Sequence, residues 1–494
     1  MDENIIDKEQ QLEESTCHTD PEKAEDEEYR NFKEEPGDDD GENRHPVKTH
    51  SLILTSALVT KFMIGSSILS IPQIFKTFGI INGLILTFLF NCTALASAYL
   101  LLKSKDITQR YSYAIYSKMT MGLTGTLLTK ISLILMKVST NCVHLIVLSS
   151  LLRNIFITIF GEENDAFYFH SKFILVIFVL ILAPLMFHRD ISFLAKFSYL
   201  GILSLVILFL STVILFIYKY NHNEITAFEQ NMLYRKGTFA EMFKCFGGYH
   251  NAFVFQAQIF TIYLPLEKRS TSKMMKASLI GSLFSSFIYA SYGIIGYIMY
   301  KDNINDSLIK NLGEELTRFV KVNYKMANVL VICEVSFIIN SAVSSTLGFF
   351  VAKKNFIGLI KFIMKKLEKK KNEEEEGIKL EDLNEQGEAI EKGKKGEEKE
   401  YIGSKGEFFL TLILYVFITI VALTTDKIIG FASFNGATVS NFICVTSPAI
   451  FYLYFSRKKP FCLTKLLAGF MIGLGSFLIF GYFGFNLYKL VINF

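Results

Sequence analysis

The sequence lacks the cysteine spacing that metal centres and disulfide frameworks require. Its seven cysteines are scattered, most of them fall in apolar segments, and no two stand in a CxxC arrangement. Structural zinc sites and disulfide-stabilised domains both show cysteines at closely or regularly repeated positions. We therefore expect no metal site and no disulfide framework.

Signatures of enzymes are missing as well. The chain has no GxSxG, HExxH, P-loop or GxGxxG pattern in a suitable context, and no His-Asp cluster accompanies its histidines. We expect neither an enzyme nor a cofactor. The net charge of +4 sums an acidic tail with basic loops, so it gives no indication of nucleic-acid binding.

Long apolar blocks dominate the rest of the chain. Hydrophobic residues make up 51% of the sequence, and the mean hydropathy is +0.33. Blocks of about 20 apolar residues match the thickness of a bilayer core, and a helix satisfies its own backbone polar groups in lipid. The expected fold is an all-α polytopic membrane protein with eleven spans, at 52–77, 80–102, 126–152, 171–187, 194–218, 239–264, 277–300, 322–352, 407–424, 435–455 and 464–490.

Two charged segments divide the chain into four parts. Residues 1–50 lack an apolar stretch, so no cleavable signal peptide is predicted, and their composition predicts a disordered acidic tail. Residues 51–352 hold spans one to eight, 353–406 form a charged insert, and 407–494 hold spans nine to eleven. The insert is expected to be solvated, partly helical and poorly ordered, with a regulatory or partner-binding role as the alternative.

Lysine and arginine predict the orientation of the spans. They collect in loops that follow even-numbered spans, and positive charge marks the cytoplasmic side. The N-terminus and the insert are therefore predicted to be cytoplasmic. The C-terminus and the loop with the glycosylation sequon Asn305-Asp306-Ser307 are predicted to lie on the opposite side.

Small residues interrupt two spans at matching positions in the two halves of the chain. Gly65-Ser66-Ser67 stands in the middle of span one, and Gly247-Gly248 stands in span six, before Tyr249, His250 and Asn251. Such interruptions are the best sequence indicator of a transporter binding site. An unwound turn frees N–H and C=O groups that can hold a carboxylate and an ammonium group. Small residues also serve close helix packing, which is how we interpret Gly469 and Gly473.

Three motifs resemble one family of transporters. "GSSILSIPQIFKTFG" (65–79) resembles the first-span signature of the amino acid/auxin permease family. "IFTIYLPLEKRSTSKM" (259–274) resembles the end of span six in its sodium-coupled neutral amino acid transporters. "DKIIGFASFNGATVSNFICVTSPAIFYL" (426–453) resembles the region of spans nine and ten. The resemblance implies a LeuT-type 5+5 inverted repeat with spans one and six broken, and secondary transport of amino acids.

The interruptions, the polar residues inside the spans and the resemblance together indicate which residues bind substrate and ion. The substrate-binding candidates are Gly65, Ser66, Ser67, Gly247, Gly248, Tyr249 and Asn251. The ion-coupling candidates are Lys61, Glu334, Ser336 and His144. Sodium-coupled members carry asparagine where Lys61 stands, so an ammonium group there would substitute for sodium. Glu334 is the acid deep in span eight that could pair with it, unless Lys61 only snorkels to the membrane surface.

The predicted function is secondary active transport of amino acids by alternating access, with a proton as coupling ion and sodium as the less favoured choice. The alternative is an amino acid sensor that signals through its cytoplasmic tail and insert. Under both hypotheses the protein crosses its membrane many times, and that membrane is either the plasma membrane or a vacuolar or lysosomal membrane. The expected partners are an amino acid, membrane lipids and cytoplasmic proteins that bind the tail or insert.

Overall fold

The computed structural model describes residues 50–161, 170–187, 198–225, 229–234, 237–382, 403–424 and 428–492, and these residues are almost entirely helical. In chain order the helices are α1 (Leu52–Met63), α2 (Ile71–Phe78), α3 (Ile80–Thr108), α4 (Tyr113–Phe160), α5 (Ser171–Phe187), α6 (Ser198–Asn221), α7 (Phe239–Ala252), α8 (Ile259–Tyr263), α9 (Thr271–Tyr300), α10 (Leu308–Val322), α11 (Tyr324–Asp382), α12 (Ser404–Leu423), α13 (Ile428–Ala437), α14 (Val439–Asn441), α15 (Ser447–Phe455) and α16 (Leu463–Ile492).

Eight helical segments within the described ranges are long and apolar enough to cross a membrane. A ninth span results when α1 and the segment Ser66–Phe78, which meet at a bend of 51°, are taken together. The predicted spans 171–187 and 239–264 are not among the nine. The first corresponds to α5, an apolar helix of 17 residues, and the second is divided between α7 and α8. The count of eleven therefore stays a prediction, whereas the integral multi-pass membrane class is confirmed.

Helix α4 contains a sharp change of direction at Gly122. This glycine has φ 61° and ψ −147°, a backbone conformation that side chains with a Cβ rarely adopt. The segment before it, Tyr113–Met121, is consequently a separate short helix that leads into the third predicted span. The sequence prediction placed the start of that span at residue 126, beyond the kink.

The segments predicted to be cytoplasmic meet at one end of the helix bundle. The His50 amide donates to the Pro265 carbonyl at 2.7 Å, and the Glu267 amide donates to the His50 carbonyl at 3.0 Å. Nearby, the buried Lys105 ammonium donates to the Tyr263 hydroxyl at 3.0 Å. The chain before span one, the end of span two and the loop after span six are thus held together by hydrogen bonds, as a shared side of the membrane requires.

The segments predicted for the opposite side of the membrane also meet, at the C-terminal end of α6. Lys219 near the end of α6 forms an ion pair with Glu315 of α10, and both side chains are about nine-tenths buried. Arg318 adds a second bond from α10 to Glu224 at 2.7 Å. Breaking a buried ion pair by removal of one partner is strongly destabilising. The pair therefore fixes α10 over this end of the bundle.

The predicted insert is helical in the part that the structure describes. Helix α11 runs without interruption from span eight to Asp382, and Lys361 bonds to Glu407 at the start of α12 at 2.8 Å. The predicted tail before His50 and the segment 383–402 lie outside the described residues. Their disorder and their partners stay predictions.

Candidate functional site

The first interruption lies at the triplet that the sequence singles out. Helix α1 ends at Met63, and Gly65 then adopts an extended backbone with φ −106° and ψ −151°. Residues 66–70 form a 3-10 turn, and Pro72 at the start of α2 suits the first turn of a helix. A Cβ atom added at Gly65 would meet no atom within 4 Å. Open space therefore adjoins the backbone at the break.

The second interruption lies further along the chain than predicted. Helix α7 continues through Gly247 and Gly248 to Ala252, and regular structure stops at Phe253. Gln256 stabilises the irregular backbone, because its Oε1 accepts from the Phe255 amide at 2.9 Å and its Nε2 donates to the Ala94 carbonyl at 3.2 Å. The prediction of an unwound turn at the two glycines was wrong in its position.

Close packing explains the first of the two glycines. The backbone of Gly247 touches Gly436 of α13, and a Cβ on Gly247 would lie 2.5 Å from the Ser433 carbonyl. Two helices approach this closely only where both lack side chains at the contact. A Cβ on Gly248 would be 3.4 Å from the Ser433 hydroxyl, which is an ordinary contact distance. Gly247 and Gly436 therefore bring α7 against α13, a contact that the sequence of α7 alone does not show.

A substitution at this contact should lower stability. Gly436→Ala places a Cβ against the Gly247 carbonyl, and overpacking of this kind costs about 1–3 kcal/mol. We expect a lower thermal midpoint in fluorescence-detected size-exclusion chromatography. Gly469→Ala is the control, since a Cβ at Gly469 meets nothing within 4 Å. The described residues do not pack on Gly469 or Gly473, so the interpretation of these two glycines as packing sites stays a prediction. An equal loss in both variants would contradict the close-contact explanation.

A polar network joins both interruptions to a third irregular helix. Asn251 of α7 donates to the Ser67 hydroxyl at 3.5 Å, and its Oδ1 accepts from Asn435 at 3.2 Å and from Ser440 at 3.3 Å. Ser440 also reaches the Asn435 side chain at 3.0 Å. The region from Val439 to Thr446 is irregular, with a short helix followed by a π-helical turn. Polar groups at this depth are costly unless they are paired or line a cavity.

The two residues before Asn251, Tyr249 and His250, contact groups outside this polar network. Tyr249 is fully buried, and its hydroxyl forms a hydrogen bond with Thr87 of α3. Its ring packs edge-on against Phe90 and Phe253. His250 Nδ1 lies 2.9 Å from the Gly436 carbonyl. Within the described contacts Tyr249 is therefore a core residue, and Asn251 is the member of the triplet that reaches the break in span one.

Lys61 and Glu334 stand beside different partners. The Lys61 ammonium and the Asn340 amide oxygen both reach the space next to Gly201 of α6. Glu334 lies six residues before Asn340 on α11, about 9 Å along the helix axis at 1.5 Å per residue. Its Oε1 accepts from Asn154 at 2.9 Å, and its Oε2 has no hydrogen-bond partner among the described residues. The structure therefore does not bring the two charges together.

The remaining ion-coupling candidates differ in their surroundings. The Ser336 hydroxyl donates to the Cys333 carbonyl of its own helix at 2.8 Å. His144 is buried in α4, and its Nδ1 has no hydrogen-bond partner among the described residues. Sequence reasoning missed Asn154, Asn340 and Ser440 as partners. Each is a polar residue in an apolar span, which is the signal that could have drawn attention to them.

Comparison with known proteins agrees with this architecture. Residues 48–485 match the family described as "Transmembrane amino acid transporter protein". The chain is 23% identical to "Putative sodium-coupled neutral amino acid transporter 10" of Xenopus laevis, over 54% of this chain and 26% of that protein. It is 23% identical to "Amino acid transporter AVT6E" of Arabidopsis thaliana, over 58% of this chain and 62% of that protein. The match thus spans less than two thirds of either relative.

A solved structure shares the fold. The structure titled "Inward facing conformation of Mhp1" superposes with a TM-score of 0.54 and 11% identity, covering 85% of this chain and 80% of the other. At this identity the likeness concerns the fold alone. The family and the relatives are transporters rather than enzymes, which confirms the expectation that the chain is not an enzyme. The match over most of the sequence also confirms the resemblance noted from its motifs: the chain belongs to the transmembrane amino acid transporter protein family.

Proposed function

We propose that this chain is a secondary active transporter that moves amino acids by alternating access. It would do so on a LeuT-type 5+5 inverted repeat of eleven spans, with spans one and six broken. The observation that carries the proposal is the network in which Asn251 links Ser67 to Asn435 and Ser440. It joins both interruptions to the irregular region of span ten, so a ligand bound there would contact helices that move relative to one another.

The proposed amino acid site lies between the two interruptions. Ser66 and Ser67 would present backbone N–H groups to a carboxylate, and Asn251 would orient it with a side-chain amide. Gly65, whose own amide donates to the Met63 carbonyl, would leave the open space that the substrate occupies. Backbone carbonyls at the ends of α1 and α7 would accept from the substrate's ammonium group. Gly247 and Gly248 would act through packing, by holding α7 against α13. The printed name of the frog relative refers to neutral amino acids, and we propose that substrate class.

Uptake into proteoliposomes tests the proposal. The purified chain would be reconstituted and supplied with a mixture of radiolabelled neutral amino acids, with an inward proton gradient imposed. Accumulation above protein-free liposomes is expected, and the Asn251→Ala variant should reduce it. A sensor would bind an amino acid, detected as a shift of the thermal midpoint, without any accumulation. That outcome would overturn the transport proposal in favour of the sensor.

Glu334 is the proposed proton-coupling residue. A buried carboxylate with one oxygen unpaired is costly as an anion, and protonation removes the charge. Glu334→Gln keeps an oxygen that accepts from Asn154 but has no proton to exchange. We expect the dependence of uptake on external pH between about 5 and 8 to flatten in this variant. Glu267→Gln, in the exposed loop after α8, is the control and should keep the parent profile. Retention of the parent profile by Glu334→Gln would remove Glu334 from coupling.

The choice of membrane and the partners follow from the predicted orientation and the charged segments. Either the plasma membrane or a vacuolar or lysosomal membrane is compatible with the predicted orientation. The basic residues Lys361, Lys365 and Lys366 beside span eight would contact anionic headgroups on the cytoplasmic surface. Cytoplasmic partners of the tail and the insert would bind beyond them.

A further inference from the structure

One side chain of span seven touches the ends of both interrupted helices. Tyr289 of α9 is fully buried. Its hydroxyl oxygen lies 2.6 Å from the Met63 carbonyl, where α1 ends, and 2.8 Å from the Ala252 carbonyl, where α7 ends. Its ring packs edge-on against Phe253 with centroids 5.4 Å apart. A single hydroxyl group thus spans the gap between the two breaks.

The carbonyls concerned need donors from outside their own helices. The last carbonyls of a helix have no partner within it, and an unsatisfied carbonyl at membrane depth is costly. The Met63 carbonyl also accepts from the Gly65 amide at 3.0 Å, which belongs to the break itself. A neutral tyrosine carries one hydroxyl proton, so it can donate fully to one of the two carbonyls at a time. The single hydroxyl proton of Tyr289 therefore serves two carbonyl oxygens, those of Met63 and Ala252.

We infer that Tyr289 is a positioning residue that couples the two interrupted helices. Its hydroxyl ties the end of α1 to the end of α7 in this conformation, and its O–H bond turns from one carbonyl toward the other when either half-helix moves. The consequence for transport rests on the proposed function. The coupling itself is a property of the protein without substrate.

Span seven supplies a matched control for this hydroxyl. Tyr292 lies about one turn further along α9 and is also fully buried. Its hydroxyl has no hydrogen-bond partner among the described residues, so it bonds to neither break. Tyr292→Phe therefore removes the same group, at similar depth and from the same helix, without touching the bridge.

Hydrogen–deuterium exchange of the purified protein tests the inference. We expect Tyr289→Phe to speed exchange about fivefold to tenfold in peptides that cover Gly65 and Phe253, because one buried hydrogen bond is lost. Both peptides should respond together, and Tyr292→Phe should leave both unchanged. Acceleration of one peptide alone, or the same acceleration in both variants, would overturn the coupling.

A second variant keeps the test decisive if Tyr289→Phe fails to fold. Tyr289→p-aminophenylalanine, introduced by stop-codon suppression, replaces the hydroxyl with an amine that carries two N–H donors. Each carbonyl then has its own donor, so exchange in both peptides should equal or fall below that of the parent. Faster exchange in this variant would overturn the inference.

Transport supplies the readout that general instability would not give. In proteoliposomes supplied from outside with the radiolabelled neutral amino acid mixture, Tyr289→Phe should lower the maximal uptake rate at least about tenfold, while Tyr292→Phe retains it. Equal maximal rates in the two variants would contradict a positioning role. If the parent protein shows no uptake at all, the proposed function fails, and the exchange measurement still decides whether Tyr289 couples the breaks.

Discussion

Gly65→Val is expected to leave the protein folded and to abolish uptake. Gly65 has an extended backbone rather than a positive φ, and a Cβ there meets no atom within 4 Å. A valine would place its Cβ in the open space beside the first interruption, and its methyl groups would extend into the room that the substrate needs. Since displacing a bound substrate by about 1 Å can cost about a hundredfold in rate, we expect at least that loss in proteoliposome uptake.

Gly484→Val is the matched control for this experiment. Gly484 lies on an exposed part of α16, and a Cβ there also meets nothing within 4 Å. The two variants add the same group to open space, one beside the proposed site and one far along the chain from it. Both should keep the parent's thermal midpoint, and Gly484→Val should keep the parent's uptake. Normal uptake by Gly65→Val would exclude this space as the substrate site.

Replacing sodium with choline is expected to leave uptake within about twofold of its original rate. The Lys61 ammonium reaches the space next to Gly201 that Asn340 also faces. A sodium ion about 4 Å from that ammonium would be opposed by about 4 kcal/mol at an effective dielectric constant of 20, or about a thousandfold in affinity. Uptake that requires sodium in the unmodified protein would refute this role of Lys61.

Lys61→Asn should in turn introduce a response to sodium. The change removes the opposing charge and adds an amide oxygen at position 61, and amide oxygens suit a hard cation. Lys76→Asn is the control on the same span. The Lys76 ammonium donates to the exposed Asp302 carbonyl at 2.9 Å, so its loss should give no response to sodium. A sodium response of equal size in both variants would show that any loss of positive charge on this span produces it, which would contradict a specific role of Lys61.

Local sequence determined the helices. Apolar blocks predicted spans at 277–300, 407–424 and 464–490, and the structure has helices at Thr271–Tyr300, Ser404–Leu423 and Leu463–Ile492. Backbone hydrogen bonds within one segment are the only ones available in lipid, so length and hydropathy suffice to predict a helix. The bend of the first span also falls on a local signal, where the small residues Gly65, Ser66 and Ser67 precede a proline.

Contacts between helices decided what the site contains. The pair Gly247-Gly248 carried the same local signal as the first triplet, yet α7 runs through it, and Gly247 packs against Gly436 of another helix. Lys61 and Glu334 were matched by charge, but the Lys61 ammonium lies beside Gly201 and Asn340, and Glu334 accepts from Asn154. The sequence does not show whether a glycine interrupts a helix or allows another helix to pack closely, because that depends on its neighbour in the fold. A buried polar group likewise takes the partner that the fold brings within about 3 Å, which no spacing along one chain can specify.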